Sequence, residues 1–382
     1  MDNLTHSLVG AALSRTGLQR ATPLATATLV LAANAPDVDM LAYVRGGYFA
    51  LAFRRGITHG LPALVVLPFA VAGVMLAWDR WVRRRRDPGA EPARFGALLL
   101  LSAIGLVTHP VLDWMNTYGM RWWLPFDGRW SYGDALFIID PWLWLSLGGG
   151  VYLTGTWSRR GTIRWMVLLG LTTALIAVAP VALVAKVAWV GGAGVLVILA
   201  HGRPPGIMER RWRLGRGVVV WCTAYILAMV ASDLLARREV RKAVVAAGLG
   251  EPEAVMVAPL PAAPLRAEVL VLTDDGYAYG SHRWDARPPV ELEVGSAIPR
   301  LAAGEGVSQA EAERAAAAAR QAPDARHFLV WSRFPAVRVE RGDGGDGYSV
   351  RISDLRYAGR GAGELGGLVV RLDGGYRVVG GG

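Results

Sequence analysis

The first 140 residues contain a set of side chains of the types that bind transition metals. The set consists of His6, Asp37, Asp39, His59, His109 and Asp113. Imidazole nitrogens and carboxylate oxygens are suitable ligands for Zn²⁺, Mn²⁺ or Fe²⁺. His109 and Asp113 are four residues apart, which on a helix places both on one face, one turn apart. The pattern predicts a divalent metal site, with zinc favoured and manganese or iron as alternatives.

Arg54 and Arg55 lie shortly before His59 in the sequence. A guanidinium group binds a phosphate or carboxylate in a bidentate manner, although an arginine at a membrane surface is equally well explained as an anchor among lipid headgroups. If the site is catalytic, metal-activated water attacks an ester. Asp37 or Asp39 would then serve as general base, and Arg54 or Arg55 would stabilise the developing anion.

Each of these residues, taken alone, has a simpler explanation. His6 is then an exposed or capping histidine, and His109 is a hydrogen-bonded histidine in a helical bundle. Asp37 and Asp39 follow Pro36 and are then ordinary turn residues. These explanations require the set to meet at one membrane face by accident, so the joint pattern favours the metal site.

The elements that must position this set are membrane helices. Of the 382 residues, 53% are hydrophobic and only 19% are charged, which argues against a disordered chain and an ordinary soluble enzyme. Six segments approach the roughly 20 residues needed to cross a bilayer. They are residues 61–82, 95–115, 137–157, 163–179, 181–200 and 217–235. Two shorter segments, 4–14 and 23–34, predict a helical hairpin that enters the bilayer only partway.

The net charge of +10 is confined to the apolar part of the chain. Residues 1–236 contain 22 Lys and Arg against 12 Asp and Glu, whereas residues 237–382 contain 19 of each. The apolar part also carries 13 of the 15 tryptophans. Tryptophan beside arginine is typical of a bilayer protein, so the expected partner is the lipid bilayer and no nucleic acid is expected. A single cysteine, Cys222, excludes an internal disulfide.

Basic loops predict the orientation of the spans, since cytoplasmic loops collect Lys and Arg. Placing the clusters at 80–86, 159–164 and 203–216 inside leaves residues 34–59, 116–136 and everything after 235 outside. The basic run 237–242 is an exception. With this orientation all the candidate ligands lie at the outer face. We therefore expect a multi-pass protein of the plasma or inner membrane with an extracytoplasmic C-terminal domain.

The composition changes after residue 236. Residues 237–264 predict a basic helix and a proline-rich linker, and residues 265–382 predict a small soluble α+β domain with an antiparallel sheet. Ser308 and Glu311 have the spacing of a capping box ahead of an alanine-rich helix over 310–320. Predicted strands cover 266–273, 277–284, 328–332, 336–340, 348–353, 367–372 and 376–379. The fold class is thus an all-α polytopic membrane domain followed by a soluble α+β domain.

The order of the motifs resembles a known family. The motifs are Pro36-Asp37-Val38-Asp39, Arg55-Gly56-Ile57-Thr58-His59, His109-Pro110-Val111-Leu112-Asp113 and Asn116-Thr117-Tyr118-Gly119. Over residues 1–140 they resemble the membrane-bound metal-dependent hydrolase family (YdjM-like). More distantly, they are similar to zinc-dependent phospholipase C and related single-strand nucleases. That likeness implies His6, Asp37, His59, His109 and Asp113 as ligands and Asp39 as a neighbouring or alternative ligand. A downstream His-x-x-x-Glu set is missing, so one or two metals are expected.

The resemblance implies an integral membrane hydrolase that acts on an ester or phosphoester of a lipid or lipid-linked substrate at the outer face. One alternative is a non-catalytic membrane protein with a structural metal site and a sensing or partner-binding outer domain. An open coordination position would distinguish the two. A transporter is disfavoured, because ion paths need ionisable residues near mid-span and the candidates lie at span ends.

Overall fold

The computed structural model describes residues 1–156, 158–202, 211–293, 295, 297–342, 346–358 and 365–381. The chain forms two compact units. The membrane unit consists of Met1–Val38, Arg55–Ala236 and Val257–Ala267. The C-terminal unit consists of Asp39–Arg54, Arg237–Met256 and Glu268–Gly382. The C-terminal unit therefore includes a segment from the N-terminal part of the sequence.

Nine α-helices precede the strands in the described chain, in addition to the 3₁₀ helices Leu18–Arg20 and Ala35–Arg45. They are α1 (Asn3–Arg15), α2 (Ala25–Ala32), α3 (Gly47–Phe53), α4 (Leu61–Arg86), α5 (Phe95–Trp114), α6 (Pro141–Thr154), α7 (Arg159–Val178), α8 (Leu183–Gly202) and α9 (Arg211–Ala246). Five of them, α4, α5, α7, α8 and α9, are long and apolar enough to cross a membrane. The N-terminal hairpin of α1 and α2 is present, as predicted. The basic helix predicted after residue 236 is the continuation of α9, which does not break there.

Helix α6 is shorter than the span predicted over 137–157. Asp140 starts it, because its carboxylate accepts hydrogen bonds from the backbone N–H groups of Trp142 (2.9 Å) and Leu143 (3.0 Å). The helix ends at Thr154, before Gly155, so it has 14 residues. At 1.5 Å per residue it is about 21 Å long, less than the hydrocarbon thickness of about 30 Å. Eight of its residues are buried.

Two glycines allow α2 to lie very close to α1 and α5. A Cβ added at Gly105 in α5 would be 2.8 Å from the carbonyl oxygen of Leu29, and one at Gly10 in α1 would be 2.7 Å from the same atom. Both distances are below van der Waals contact, so larger residues do not fit without movement of the backbone. The close approach brings the end of α2 against the face of α5 that carries His109.

The strands of the chain form two sheets, and all of them belong to the C-terminal unit except the parts of β1 and β2 within Val257–Ala267. The first has the order β1-β2-β3-β4, and the second has the order β5-β6-β7-β8-β9. The strands are β1 (Ala254–Leu260), β2 (Ala263–Thr273), β3 (Gly276–Arg283), β4 (Val290–Leu292), β5 (Leu301–Ala303), β6 (Pro335–Arg341), β7 (Tyr348–Asp354), β8 (Gly367–Leu372) and β9 (Val378–Gly381). In the second sheet β5 pairs parallel with β6, and the remaining neighbours pair antiparallel. The proline-rich segment predicted as a linker contains β1.

Two helices, α10 (Gln309–Ala319) and α11 (Pro323–Trp331), accompany the second sheet. The predicted capping box of α10 is confirmed, with reciprocal bonds between Ser308 and Glu311. The predicted strand over 328–332 is wrong, because this segment is the last part of α11. Pro323 occupies the first turn of α11, where its missing N–H costs nothing. Phe328 and Trp331, three residues apart, are then buried on one helix face.

Helix α3 belongs to the C-terminal unit because it packs against α11. The rings of Tyr48 and Phe328 meet edge to face at 6.2 Å, and those of Phe49 and His327 at 5.4 Å. The hydroxyl of Tyr48 also donates a hydrogen bond to the carbonyl of Gly367 (3.2 Å). Contacts within one folded unit require that residues 39–54 and the C-terminal strands lie on one side of the membrane.

The packing of α2 predicts that Gly105→Ala destabilises the membrane unit. Overpacking costs about 1–3 kcal/mol, partly offset by the roughly 1 kcal/mol that alanine gains over glycine in a helix. We therefore expect a lower midpoint in thermal unfolding of the purified protein in detergent. Gly96→Ala in the same helix is the matched control, because a Cβ there meets nothing within 4 Å. Equal midpoints for the two variants would contradict the close approach.

Candidate metal centre

Four of the predicted ligands converge in the membrane unit. Asp37, His59, His109 and Asp113 each offer one ligand atom, and these four atoms lie within 4.8 Å of one another. The residues come from the 3₁₀ helix Ala35–Arg45 after α2, the turn before α4 and one face of α5. The predicted pairing of His109 and Asp113 on one helix face is therefore present. His59, His109 and Asp113 are almost completely buried, and Asp37 is partly exposed.

The separations between the ligand atoms fit one divalent ion. The Nε2 atoms of His59 and His109 are 3.1 Å apart. Oδ2 of Asp113 is 3.5 Å from the first and 3.7 Å from the second. Oδ1 of Asp37 is 3.9 Å and 3.8 Å from the same two nitrogens. Bonds of about 2.0–2.1 Å in a tetrahedral site place ligand atoms about 3.3 Å apart, so small movements would bring all four into coordination.

Hydrogen bonds orient both imidazole rings toward this centre. Nδ1 of His109 lies 2.7 Å from the carbonyl oxygen of Ala33. A carbonyl only accepts, so Nδ1 carries the proton and the neutral ring presents an Nε2 lone pair. Nδ1 of His59 lies 3.0 Å from the hydroxyl of Thr58. Partners of this kind on the second ring nitrogen are typical of metal-binding histidines.

Asp113 is surrounded by positive or hydrogen-bonding groups on both of its oxygens. Nε of Arg55 lies 2.8 Å from Oδ2, the oxygen that also faces the two ligand histidines. Nε2 of His6 lies 3.1 Å from Oδ1, and the amino group of Met1 contacts the same oxygen. The two carboxylate oxygens therefore contact different groups: Oδ2 faces Arg55 and the two ligand histidines, and Oδ1 faces His6 and the amino group of Met1.

Arg55 positions Asp113. One of its terminal nitrogens donates to Oδ1 of Asn116 (2.8 Å) and to the carbonyl of Asp113 (3.2 Å). Its guanidinium also lies 4.5 Å from the ring centre of Tyr118. Arg55 is buried and has a φ of 53°, a left-handed conformation that is uncommon for residues other than glycine. Because its guanidinium is bonded to Asp113 and Asn116, Arg55 holds the Asp113 carboxylate in place.

His6 lies beside the four-ligand group. Its ring stacks on His109 at 3.8 Å, and it is completely buried. Nδ1 of His6 has no hydrogen-bond partner among the described residues. A buried polar atom without a partner is costly, so this nitrogen is suited to an additional ligand or a proton.

Asp39 and Arg54 lie in the C-terminal unit, where they pair with each other. Nε of Arg54 is 3.3 Å from Oδ1 of Asp39. The guanidinium of Arg54 also lies over the ring of Tyr43, 5.7 Å from its centre. Asp39 is not among the four converging ligands. Arg54 and Arg55, although adjacent in sequence, thus belong to different units and have different partners.

Sequence patterns did not identify several partners of the ligands. Nδ2 of Asn3 donates to Oδ2 of Asp37 (2.8 Å). The carbonyl of Ala33 and the hydroxyl of Thr58 orient the two imidazoles, as described above. Every residue has a backbone carbonyl, so the residue type of Ala33 does not indicate its contact with His109. Asn116, three residues after Asp113, belongs to the motif Asn116-Thr117-Tyr118-Gly119, and the motif alone does not indicate its contact with Arg55.

Exposed apolar side chains flank the ligands in sequence. Val38 follows Asp37 and is 51% exposed, and Ile57, two residues before His59, is 49% exposed. Phe126, in the loop after α5, is 86% exposed. In a protein with membrane-spanning helices, such side chains are suited to contact with lipid.

Comparison with known proteins agrees with the membrane-spanning helices described above. The family model described as YdjM inner membrane protein matches residues 1–183. The uncharacterized protein YfhP of Bacillus subtilis (strain 168) is 26% identical over 156 residues, which cover 38% of this chain and 44% of that protein. The chain therefore spans less than half the length of this relative. No solved structure matches. Residues 1–183, which contain the whole metal cluster, are thus similar to YdjM inner membrane proteins, and the apolar helices fit a multi-pass membrane protein.

Proposed function

We propose that this chain is an integral membrane, metal-dependent hydrolase. The observation that carries the proposal is the convergence of four ligand atoms from Asp37, His59, His109 and Asp113 within 4.8 Å. The orientation of both imidazoles adds support, because their Nδ1 atoms contact Ala33 and Thr58 and their Nε2 atoms face the other ligands. Zinc is the favoured ion for two nitrogens and two carboxylate oxygens at these separations, and manganese or iron would also accept this set.

A divalent ion bound here would act as a Lewis acid and make water a stronger nucleophile near neutral pH. The chain's own residues prepare the surroundings. Arg55 fixes the carboxylate of Asp113, and Ala33 and Thr58 fix the two imidazoles. His6 would serve as general base, because its ring stacks on His109 beside the ligands and its buried Nδ1 has no partner among the described residues.

Asp37 marks the side from which a substrate would approach. It is the partly exposed member of the four ligands, whereas the other three are buried. Apolar side chains on both sides of the ligands, Val38 and Ile57, are about half exposed. A substrate for this site would place its ester at the metal and an apolar chain against these two side chains. A lipid or lipid-linked phosphoester meets both requirements. The outer membrane face remains the predicted location.

The second candidate function is a structural metal site. Four protein ligands are enough to complete a tetrahedral ion, as in closed structural zinc sites. The outer domain would then sense or bind a partner. What favours catalysis is His6. It contacts the second oxygen of Asp113, and a structural site that is complete with four ligands does not need a further buried histidine beside them.

Metal binding is the first expectation to test. We expect His59→Ala and His109→Ala to lose the metal that copurifies with the wild-type protein, because each removes one of two nitrogen ligands. The measurement is metal analysis by mass spectrometry on protein in detergent. His201→Ala is the matched control, since His201 is exposed and bonds a backbone carbonyl of its own helix. Full metal content in the His59 and His109 variants would refute the site.

The orientation of His59 makes a finer prediction. Thr58→Val keeps the side-chain shape but removes the hydroxyl that contacts Nδ1, so metal affinity should fall by about 10–100-fold. Competition with a chelator measures this change. Thr108→Val is the matched control. Thr108 is next to His109 in sequence, but its hydroxyl bonds the carbonyl of Gly105, so its removal should leave metal affinity unchanged. Equal affinities for wild type and Thr58→Val would argue against this role of the hydroxyl.

Hydrolysis is tested with phosphodiester, phosphomonoester and acyl-ester lipids presented to the protein in nanodiscs. We expect turnover of a phosphoester lipid by wild type and by His201→Ala, and background rates for His59→Ala. His6→Ala should retain the metal and lose about 10²–10⁴-fold in rate, as expected for a missing general base. Bound metal without turnover, together with a lower unfolding midpoint after chelation, would instead support the structural site.

A further inference from the structure

A second polar pocket lies at the other end of α4, where the apolar helix becomes basic. It has a volume of about 550 Å³ and is lined by Leu76, Asp79, Arg80, Arg84, Arg85, Pro88 and Ala93. This volume falls within the range of about 300–1,000 Å³ that is typical of ligand sites. All the lining residues belong to the membrane unit. The backbone over Asp79–Arg83 forms a π-helical turn, a local irregularity that is often found at functional sites.

The acidic residue of this pocket is already compensated. Asp79 is buried, and its carboxylate accepts from Nε of Arg83 (2.5 Å) and from the backbone N–H of Ala93 (3.0 Å). Arg83 is thus the arginine of this run that serves the fold. It holds the π-helical turn to the segment that leads into α5.

The three lining arginines, in contrast, are not held by hydrogen bonds or ion pairs within the described residues. Arg80, Arg84 and Arg85 are exposed and make no hydrogen bond or ion pair within the described part of the chain. Residues 79–94 contain six arginines and three acidic residues, so a positive charge remains after Asp79 is neutralised. A cavity lined by unpaired guanidinium groups is complementary to a phosphate, which arginine binds with paired N–H donors.

The position of the pocket indicates which phosphate it meets. Trp78 and Trp81 flank it in sequence and are 51% and 60% exposed. Exposed tryptophans at the end of an apolar span are typical of the headgroup layer of a membrane. Leu76 and Ala93 add apolar surface to the same pocket. A ligand with a phosphate at headgroup depth and an apolar part beside it is a phospholipid.

We propose that this pocket binds the headgroup of an anionic phospholipid through Arg80, Arg84 and Arg85. The site is separate from the metal cluster and does not depend on hydrolysis. Basic residues near an anionic membrane surface each contribute measurably to lipid attraction, and a pocket adds specific contacts to that general attraction.

The experiment measures lipid binding by purified protein in detergent, using native mass spectrometry with phosphatidylglycerol and phosphatidylcholine. The test variant is Arg80→Gln/Arg84→Gln/Arg85→Gln. The matched control is Arg159→Gln/Arg160→Gln/Arg164→Gln, which removes the same charge from exposed arginines at the start of α7. We expect the test variant to lose at least about tenfold in affinity for phosphatidylglycerol and the control to lose less than about twofold. Phosphatidylcholine should bind weakly to all three proteins.

Three results would overturn the proposal. The first is unchanged phosphatidylglycerol binding by the test variant. The second is an equal loss in both triple variants, which would show only general charge attraction. The third is displacement of phosphatidylglycerol by an equal concentration of inorganic phosphate, which would show a site for the free anion. Because the test variant has to be folded, its unfolding midpoint is compared with wild type, and the double variant Arg84→Gln/Arg85→Gln replaces it if that midpoint falls.

Discussion

The carboxylate of Asp113 is almost completely buried, and a buried charge is tolerated only when other groups compensate it. Arg55 compensates one oxygen, and His6 and the amino group of Met1 contact the other. These groups come from α1 and the residues just before it, and from the turn before α4, so the carboxylate on α5 connects elements that are distant in sequence. Arg55 makes this contact from an uncommon backbone conformation, with a φ of 53°.

Metal ligands and spans could be predicted because their signals are local. Asp113 follows His109 by four residues, and a helix of any kind places the two together. The apolar runs that became α4, α5, α7, α8 and α9 are visible in composition alone. The shared face of the ligands followed from loop charges and span ends, and the convergence of Asp37 with His59 agrees with it.

What the sequence did not reveal depends on contacts between distant residues. Arg54 and Arg55 are identical in type and adjacent, yet the first pairs with Asp39 and the second with Asp113. No local pattern separates them, because the difference lies in tertiary structure, with Arg54 in the C-terminal unit and Arg55 in the membrane unit. The segment 328–332 looked like a strand for the same reason, since its apolar residues fit either a sheet or the buried face of α11.

The contact between α3 and α11 also constrains how often the chain crosses the bilayer. Residues 39–54 and 268–382 belong to one unit, and a chain that leaves one side of a membrane and returns to it crosses an even number of times. Five helices between them are long enough to cross in the described chain, which is an odd number. An even number of crossings therefore requires either that one of these five helices does not cross or that α6, whose 14 residues are mostly buried in protein, crosses as well. A helix that is shielded from lipid by its neighbours need not match the thickness of the bilayer. Whether the number of crossings is even or odd therefore depends also on α6, a helix that hydropathy alone does not identify as a span.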